Sequence, residues 1–118
     1  MIIGTGIDIT ELNRIKEILD NKPKVVQRIL TKREQVQLEA LKGNRRVEFL
    51  AGRFAAKEAY SKAKGTGIGK SLSFLDIEVT NDERGKPHIH SIACPDEKVH
   101  LSISHSNEYA VANVIIEE

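Results

Sequence analysis

Two carboxylates raise the first chemical question. Asp8 stands in GIDIT, residues 6–10, beside glycine on a stretch that alternates in strand fashion, and Glu58 stands in RFAAKEAYSK, residues 53–62, on the apolar side of a helical pattern. An ionised carboxylate on a buried face is costly unless it is paired or bound to metal. One partner for Glu58 is Lys62, one turn on at i+4 spacing. The other reading joins Asp8 and Glu58 on a hard divalent ion, because two carboxylates with water and substrate phosphate completing an octahedron form a usual Mg²⁺ site. On the residues alone both readings are open.

The glycine loop KGTGIGKS, residues 64–71, offers a second kind of chemistry. A P-loop needs glycine five residues before its Gly-Lys-Ser, where this chain has Lys64, and it follows a strand, whereas this loop follows a helix. A helix C-cap at Gly65 accounts for part of it. Amides of Gly65, Thr66 and Gly67, beside Lys64, are the right donors for a phosphate. Of the histidines, His88 and His90 alternate on one strand pattern without a neighbouring acid or cysteine to complete a metal set, and His100 stands alone. His105 ends the core parity of Leu101 and Ile103 just before a turn, and SHSN is either a plain polar turn or a place that presents an imidazole at a sheet edge. A serine hydrolase built on Ser104 or Ser106 is disfavoured, since strand neighbours point to opposite faces and there is no G-x-S-x-G elbow. Cys94 is the one cysteine, which excludes an internal disulfide and a multi-cysteine zinc site.

These residues need a scaffold. A chain of 118 residues supports one domain, residues 1–118, and 40% apolar with 30% charged residues is the balance of a folding globular chain. No apolar run approaches the ~20 residues of a membrane span and no basic segment precedes an apolar one at the start, so a cytoplasmic protein without membrane association is expected. The net charge of +1 gives no general reason to expect nucleic acid. Charge is uneven locally: Lys22, Lys24, Arg28, Lys32 and Arg33 fall in a stretch with no acid, either a solvated face or a docking patch for an acidic partner.

Residues 1–10 alternate, with Ile3, Ile7 and Ile9 expected toward the core and Gly4, Gly6, Asp8 and Thr10 on the bare face. Thr10 and Glu11 open a helix over 11–20, with Leu12, Ile15 and Leu19 as its stripe. A short helix at 24–30 precedes another to Leu41, where Thr31 and Glu34 form a capping box. The long helix runs over 45–64, ~30 Å at 1.5 Å per residue. Leu50, Ala51, Phe54, Glu58 and Ser61 share one side of it, Gly52, Ala56, Ala59 and Ala63 a second made of small residues, and Arg53, Lys57 and Lys64 a third, basic one. Strands follow near 73–80, 87–92, 99–104 and 109–116. Helices first and strands second imply an α+β domain with helices packed on an antiparallel sheet.

Three stretches together resemble one family, the holo-acyl-carrier-protein synthase type of 4′-phosphopantetheinyl transferase: GIDITELNRI at 6–15, FLAGRFAAKEAYSKAKGTGIG at 49–69 and SISHS at 102–106. The resemblance spans essentially the whole chain, and Phe54 stands where the wider superfamily often has tryptophan. It implies transfer of 4′-phosphopantetheine from coenzyme A to a serine of apo-acyl carrier protein in support of fatty acid biosynthesis, with release of adenosine 3′,5′-bisphosphate. By similarity Asp8 and Glu58 bind Mg²⁺, Lys62 and His105 lie at the phosphates, and Arg53, Lys64 and Gly65–Gly67 bind coenzyme A. A homotrimer with sites between subunits is implied as well.

Under that resemblance the basic patch acquires a partner. Acyl carrier proteins are acidic, so Arg14, Lys24 and Arg28 are candidates to pair with them, with Ile18 and Val25 as the apolar contact. Two other readings use the same residues: a nucleotide-binding regulator whose basic helix face binds adenine nucleotides without metal, and a metal-dependent phosphohydrolase with no protein acceptor.

Overall fold

A computed structural model describes all residues, 1–118. Strand β1 (Ile2–Glu11) leads into α1 (Leu12–Asn21), α2 (Pro23–Ile29), α3 (Lys32–Glu39) and the long α4 (Asn44–Ala63). After the glycine loop come β2 (Ile77–Asn81), β3 (Pro87–Ser91), β4 (Lys98–His105) and β5 (Tyr109–Glu117). The strands form an antiparallel sheet ordered β1-β5-β4 and a separate β2-β3 hairpin. Helices packed on antiparallel sheet are the α+β arrangement that the element order implies.

Helix α4 serves both hydrophobic cores. Ala55, Ala56, Ala59 and Tyr60 pack with Ile77, Val79, Leu101, Val114 and Ile116, while Leu50 and Ala51 pack with Ile15 of α1, Ile29 of α2 and Leu30 just after it. A helix enclosed on most sides has little room for long side chains, and its small residues mark where another backbone comes closest.

That close approach reverses the expected sidedness of β1. Ile3, Ile7 and Ile9 are 59, 63 and 65% exposed, and it is the face of Gly4, Gly6, Asp8 and Thr10 that packs against α4. A Cβ on Gly6 would lie 2.0 Å from the Ala59 carbonyl oxygen, and one on Gly4 2.2 Å from that of Ala63. The core side of this strand is backbone on backbone, so it carries glycine, and the isoleucines lie on the outer face of the sheet. Two strand residues advance ~6.6 Å and four helical residues ~6 Å. The match of Gly4 to Ala63 and Gly6 to Ala59 therefore continues to Asp8, level with the turn from Ala55 to Glu58.

Local signals elsewhere hold to within about two residues, the usual uncertainty of helix ends. Thr31 and Glu34 form the capping box of α3. Thr10 does not open α1: it stays in β1, and its hydroxyl donates to Asp8 Oδ2 at 2.7 Å. The strand expected from residue 73 begins only at Ile77, after a 3-10 turn at Phe74–Asp76. In α1 the third buried apolar residue is Ile18 rather than Leu19. No helix is long and apolar enough to cross a membrane.

Candidate active site

Asp8 and Glu58 face one another across the contact between β1 and α4. Burial raises the Glu58 carboxyl above the usual carboxylate range, Asp8 raises it further, and Lys62 and Arg14 oppose the shift. Two like charges forced together in a half-buried cleft are what a divalent cation relieves. Asp8 is already oriented, with Oδ2 accepting from Thr10 and Oδ1 3.2 Å from Lys62 Nζ. The i+4 ion pair between Glu58 and Lys62 does not form. Lys62 crosses to β1 instead, donating to the Ile7 carbonyl at 3.1 Å and to Asp8, and the Glu58 carboxylate is left without a hydrogen-bond partner in the chain. No third acid, histidine or cysteine joins the pair, so a metal held here would complete its shell with water and substrate oxygen. That suits Mg²⁺ and excludes a closed structural site.

Arg14 reaches the same cleft from α1, with its guanidinium carbon 5.7 Å from the centre of the Phe54 ring. It is exposed, as are Lys24 and Arg28 on α2. Of the apolar residues expected beside them, Ile18 is only 8% exposed within the core that also contains Ile15 and Ile29, and Val25 is half-buried against it. Ile18 therefore supports the basic face from beneath and does not form its surface.

Arg53 and His105 lie elsewhere. Five residues separate Arg53 from Glu58, about 140° around the helix. On that flank Arg53 stacks 4.2 Å from the centre of the Phe49 ring, donates from Nη2 to Asn81 Oδ1 at 2.7 Å, and keeps a buried Nε without a partner. Burial lowers its pKa, opposed by Glu34. His105, exposed at the end of β4, lines the same groove with Arg45, Asn81 and Glu48, and its Nδ1 is 3.6 Å from Glu48 Oε2. One chain thus divides the site residues into an acidic cleft and a basic groove on different flanks of α4.

Lys57, expected on one basic face with Arg53 and Lys64, is fully buried. Its Nζ donates to Glu34 Oε1 at 2.6 Å and to the Ile29 carbonyl at 2.7 Å. The glycine loop also differs from expectation. The Gly65 amide donates to the Lys62 carbonyl and those of Thr66 and Gly67 donate to the Ser61 carbonyl, closing α4, so none of the three is free for a phosphate. Gly65 has φ 81°, the left-handed cap that glycine adopts without strain. Lys64 pairs with Glu97 Oε2 at 2.7 Å, a bond that raises its pKa, while Tyr60 shares the same carboxylate. His88 and His90 bond to Asp82 and Thr80 and belong to no metal set.

Sequence reasoning passed over several partners: Thr10 on Asp8, Glu34 on Lys57, Glu97 on Lys64, and Arg45 with Glu48 beside His105. Only Thr10 had a local signal, since it shares Asp8's strand parity. The others are joined by tertiary contacts.

The family description of the 4′-phosphopantetheinyl transferase superfamily matches residues 4–114. The chain belongs to that superfamily. Among phosphopantetheinyl transferases, a holo-[acyl-carrier-protein] synthase of Bacillus mycoides is 66% identical over 117 residues, 99% of this chain and 97% of that one. The crystal structure of a Bacillus anthracis holo-(acyl-carrier-protein) synthase in complex with CoA (3′,5′-ADP) superposes with a TM-score of 0.91 at 61% identity, covering 98% of this chain and 96% of the other. The Helicobacter pylori synthase in complex with coenzyme A gives a TM-score of 0.82 at 34% identity over 96% of this chain and 99% of its own.

Proposed function

We propose that this phosphopantetheinyl transferase is a holo-acyl-carrier-protein synthase, moving 4′-phosphopantetheine from coenzyme A to a serine of apo-acyl carrier protein and releasing adenosine 3′,5′-bisphosphate. The observation that carries the reading is the Asp8–Glu58 pair with Lys62 beside it. This is a site with negative charge for one metal ion and a cation for the phosphate it would engage. Asp8 and Glu58 would hold Mg²⁺, whose charge offsets that of the pyrophosphate oxygens.

The chain's own residues supply orientation and charge. Lys62, one turn beyond Glu58, stabilises negative charge on the phosphoryl group in flight. The carrier serine hydroxyl gives up its proton to a carboxylate of this cleft, Glu58 directly or Asp8 through water, as the serine oxygen bonds to phosphorus. The bond to adenosine 3′,5′-bisphosphate breaks as the new one forms. Arg53 and His105 grip coenzyme A phosphates. Lys64 and the Gly65–Gly67 loop contribute the shape of the coenzyme A wall and the Thr66 hydroxyl, their amides being committed to the cap. Arg14, Lys24 and Arg28 receive the acidic carrier, and Arg14, beside the cleft, marks where its serine enters. Fatty acid biosynthesis is the process served, in the cytoplasm, where a lone thiol such as Cys94 stays reduced.

A site split across one chain is completed by a second copy. The outer face of β1 carries Ile3, Ile7 and Ile9, with half-buried Val111 and Ile115 of β5 paired alongside in the same sheet. An apolar face of this kind marks an interface. A homotrimer that buries it and brings the Arg53–His105 groove of one subunit to the Asp8–Glu58 cleft of the next explains both the exposed isoleucines and the divided residues.

The direct test is intact mass of apo-acyl carrier protein after incubation with the protein, coenzyme A and Mg²⁺. The expected result is a gain of one phosphopantetheine, abolished in Asp8→Ala and Glu58→Ala. Phosphate release from coenzyme A without modification of any carrier would assign a phosphohydrolase instead.

A further inference from the structure

We propose that Lys57, held in the buried pair with Glu34, is a positioning residue that fixes the rotation of α4 and so the aim of Glu58. The proposal rests on the metal-pair reading given above.

The pair is enclosed, with Lys57 at 0% and Glu34 at 1% side-chain exposure. It joins more elements than any other polar contact in the fold. Lys57 Nζ holds Glu34 of α3 and the last carbonyl of α2, Ile29; Glu34 Oε1 also accepts from the Thr31 amide at 2.9 Å, and Oε2 accepts from the Val79 amide of β2 at 2.9 Å. Burial lowers the lysine's pKa, and Glu34 opposes that shift. A buried ion pair is weak as a source of stability, since apolar residues of similar volume commonly do as well. What it supplies is direction: four bonds of fixed geometry, reaching three elements besides α4.

Direction is what the other side of α4 lacks. Against β1 the helix offers Ala59 and Ala63 to Gly4 and Gly6, and the one side chain that crosses there, Lys62, is half exposed and flexible, so it does little to resist rolling. Glu58 follows Lys57 in sequence, about 100° further round the helix. A roll of about 10° carries a carboxylate at the 5–6 Å side-chain radius through about 1 Å, and misplacement of that size costs on the order of 10²-fold in rate. Lys57 touches neither substrate nor metal; it acts through Glu58.

The experiment uses the full chain with Mn²⁺ alone as probe, and then turnover with coenzyme A and carrier. Lys57→Met removes the anchor, and Lys57→Met/Glu34→Gln removes both charges at conserved volume. The expected result is a double variant that stays folded by circular dichroism and binds Mn²⁺ at least tenfold more weakly. Its kcat falls about 10²-fold while the carrier KM stays within twofold. Mn²⁺ affinity and kcat within threefold of the unaltered protein would overturn the proposal. So would activity loss that follows the unfolded fraction alone, or a double variant that does not fold, since each makes the pair structural. An unaltered protein that binds Mn²⁺ no better than Asp8→Ala removes the metal-pair reading itself, and the proposal with it.

Discussion

Gly6→Ala adds one methyl group at the point where β1 meets α4, and the distances there fix its consequence. The new Cβ would lie 2.0 Å from the Ala59 carbonyl oxygen and 2.8 Å from the Ala63 amide nitrogen. Ordinary contact starts near 3.4 Å, so strand and helix must part by about 1.4 Å, with backbone on both sides and no side chain able to yield. Overpacking costs about 1–3 kcal/mol, and this case belongs at the upper end. An unfolding entropy of about 2.1 cal/mol/K per residue gives ~0.25 kcal/mol/K for this chain, so ~3 kcal/mol lowers Tm by ~12 °C. The same displacement separates Asp8 from Glu58, and kcat falls on the order of 10²-fold. Gly52→Ala is the control for glycine replacement as such. Its nearest contact is Ile103 Cγ2 at 3.5 Å, an ordinary distance, and alanine in a helix interior gains about 0.8–1 kcal/mol, which raises Tm by ~4 °C. Thermal melts of both variants, with carrier turnover for Gly6→Ala, decide the matter. A Gly6→Ala protein melting within about 2 °C of the unaltered chain, with kcat intact, refutes the backbone-contact account of β1.

Glu58→Gln should abolish transfer and yet raise stability at neutral pH. The folded carboxyl binds its proton more tightly than the unfolded one, so no penalty exists below the ordinary glutamate range. The penalty develops as pH rises through the raised folded value; the Tm advantage of Glu58→Gln should therefore vanish on acidification, and a gap that is constant or widens contradicts it. Arg14→Glu should raise the carrier KM severalfold and leave coenzyme A binding unchanged by calorimetry; an unaltered carrier KM removes α1 from the docking face. Asp8→Ala and His105→Ala should each be inactive, but equal amounts mixed by dissociation and reassembly should restore activity at about a quarter of the sites if neighbouring subunits share them in a closed ring. No recovery in demonstrably mixed oligomers places both residues in one chain's site.

The legible parts of this protein were those governed by local rules. The capping box of Thr31 and Glu34, the left-handed cap at Gly65 and the period of α4 are each set by a few adjacent residues, and each stands within a residue or two of where the pattern puts it. The carboxylate pair was legible because an acid on an apolar stripe and an acid between glycines are both anomalies. The side of β1 that packs inward was not. Alternation shows that the two faces differ, but the rule that apolar faces turn inward fails where the core contact is bare backbone and the isoleucines lie on the exposed outer face of the sheet. The burial of Lys57 is hidden for a related reason, because nothing nearby in sequence sets it apart from Lys64, two turns on, and its partner Glu34 lies 23 positions earlier in the chain.

Buried charge by itself does not find the site, as α4 shows within six residues. Arg53, Lys57 and Glu58 are all shifted by burial toward the neutral form. Lys57 is answered by Glu34, and Arg53 in part by Asn81 and the Phe49 ring, with its Nε unpaired. Glu58 alone has no hydrogen-bonded partner, and its largest charged influence after burial is another carboxylate. A perturbed group whose counter-charge lies within the fold is a structural element. One that hydrogen-bonds no counter-charge, in a cleft that already contains a like charge, has a ligand as the simplest reason for being there. That distinction separates Glu58 from Lys57, and it makes the lysine beside it a support for the site and not a member of it.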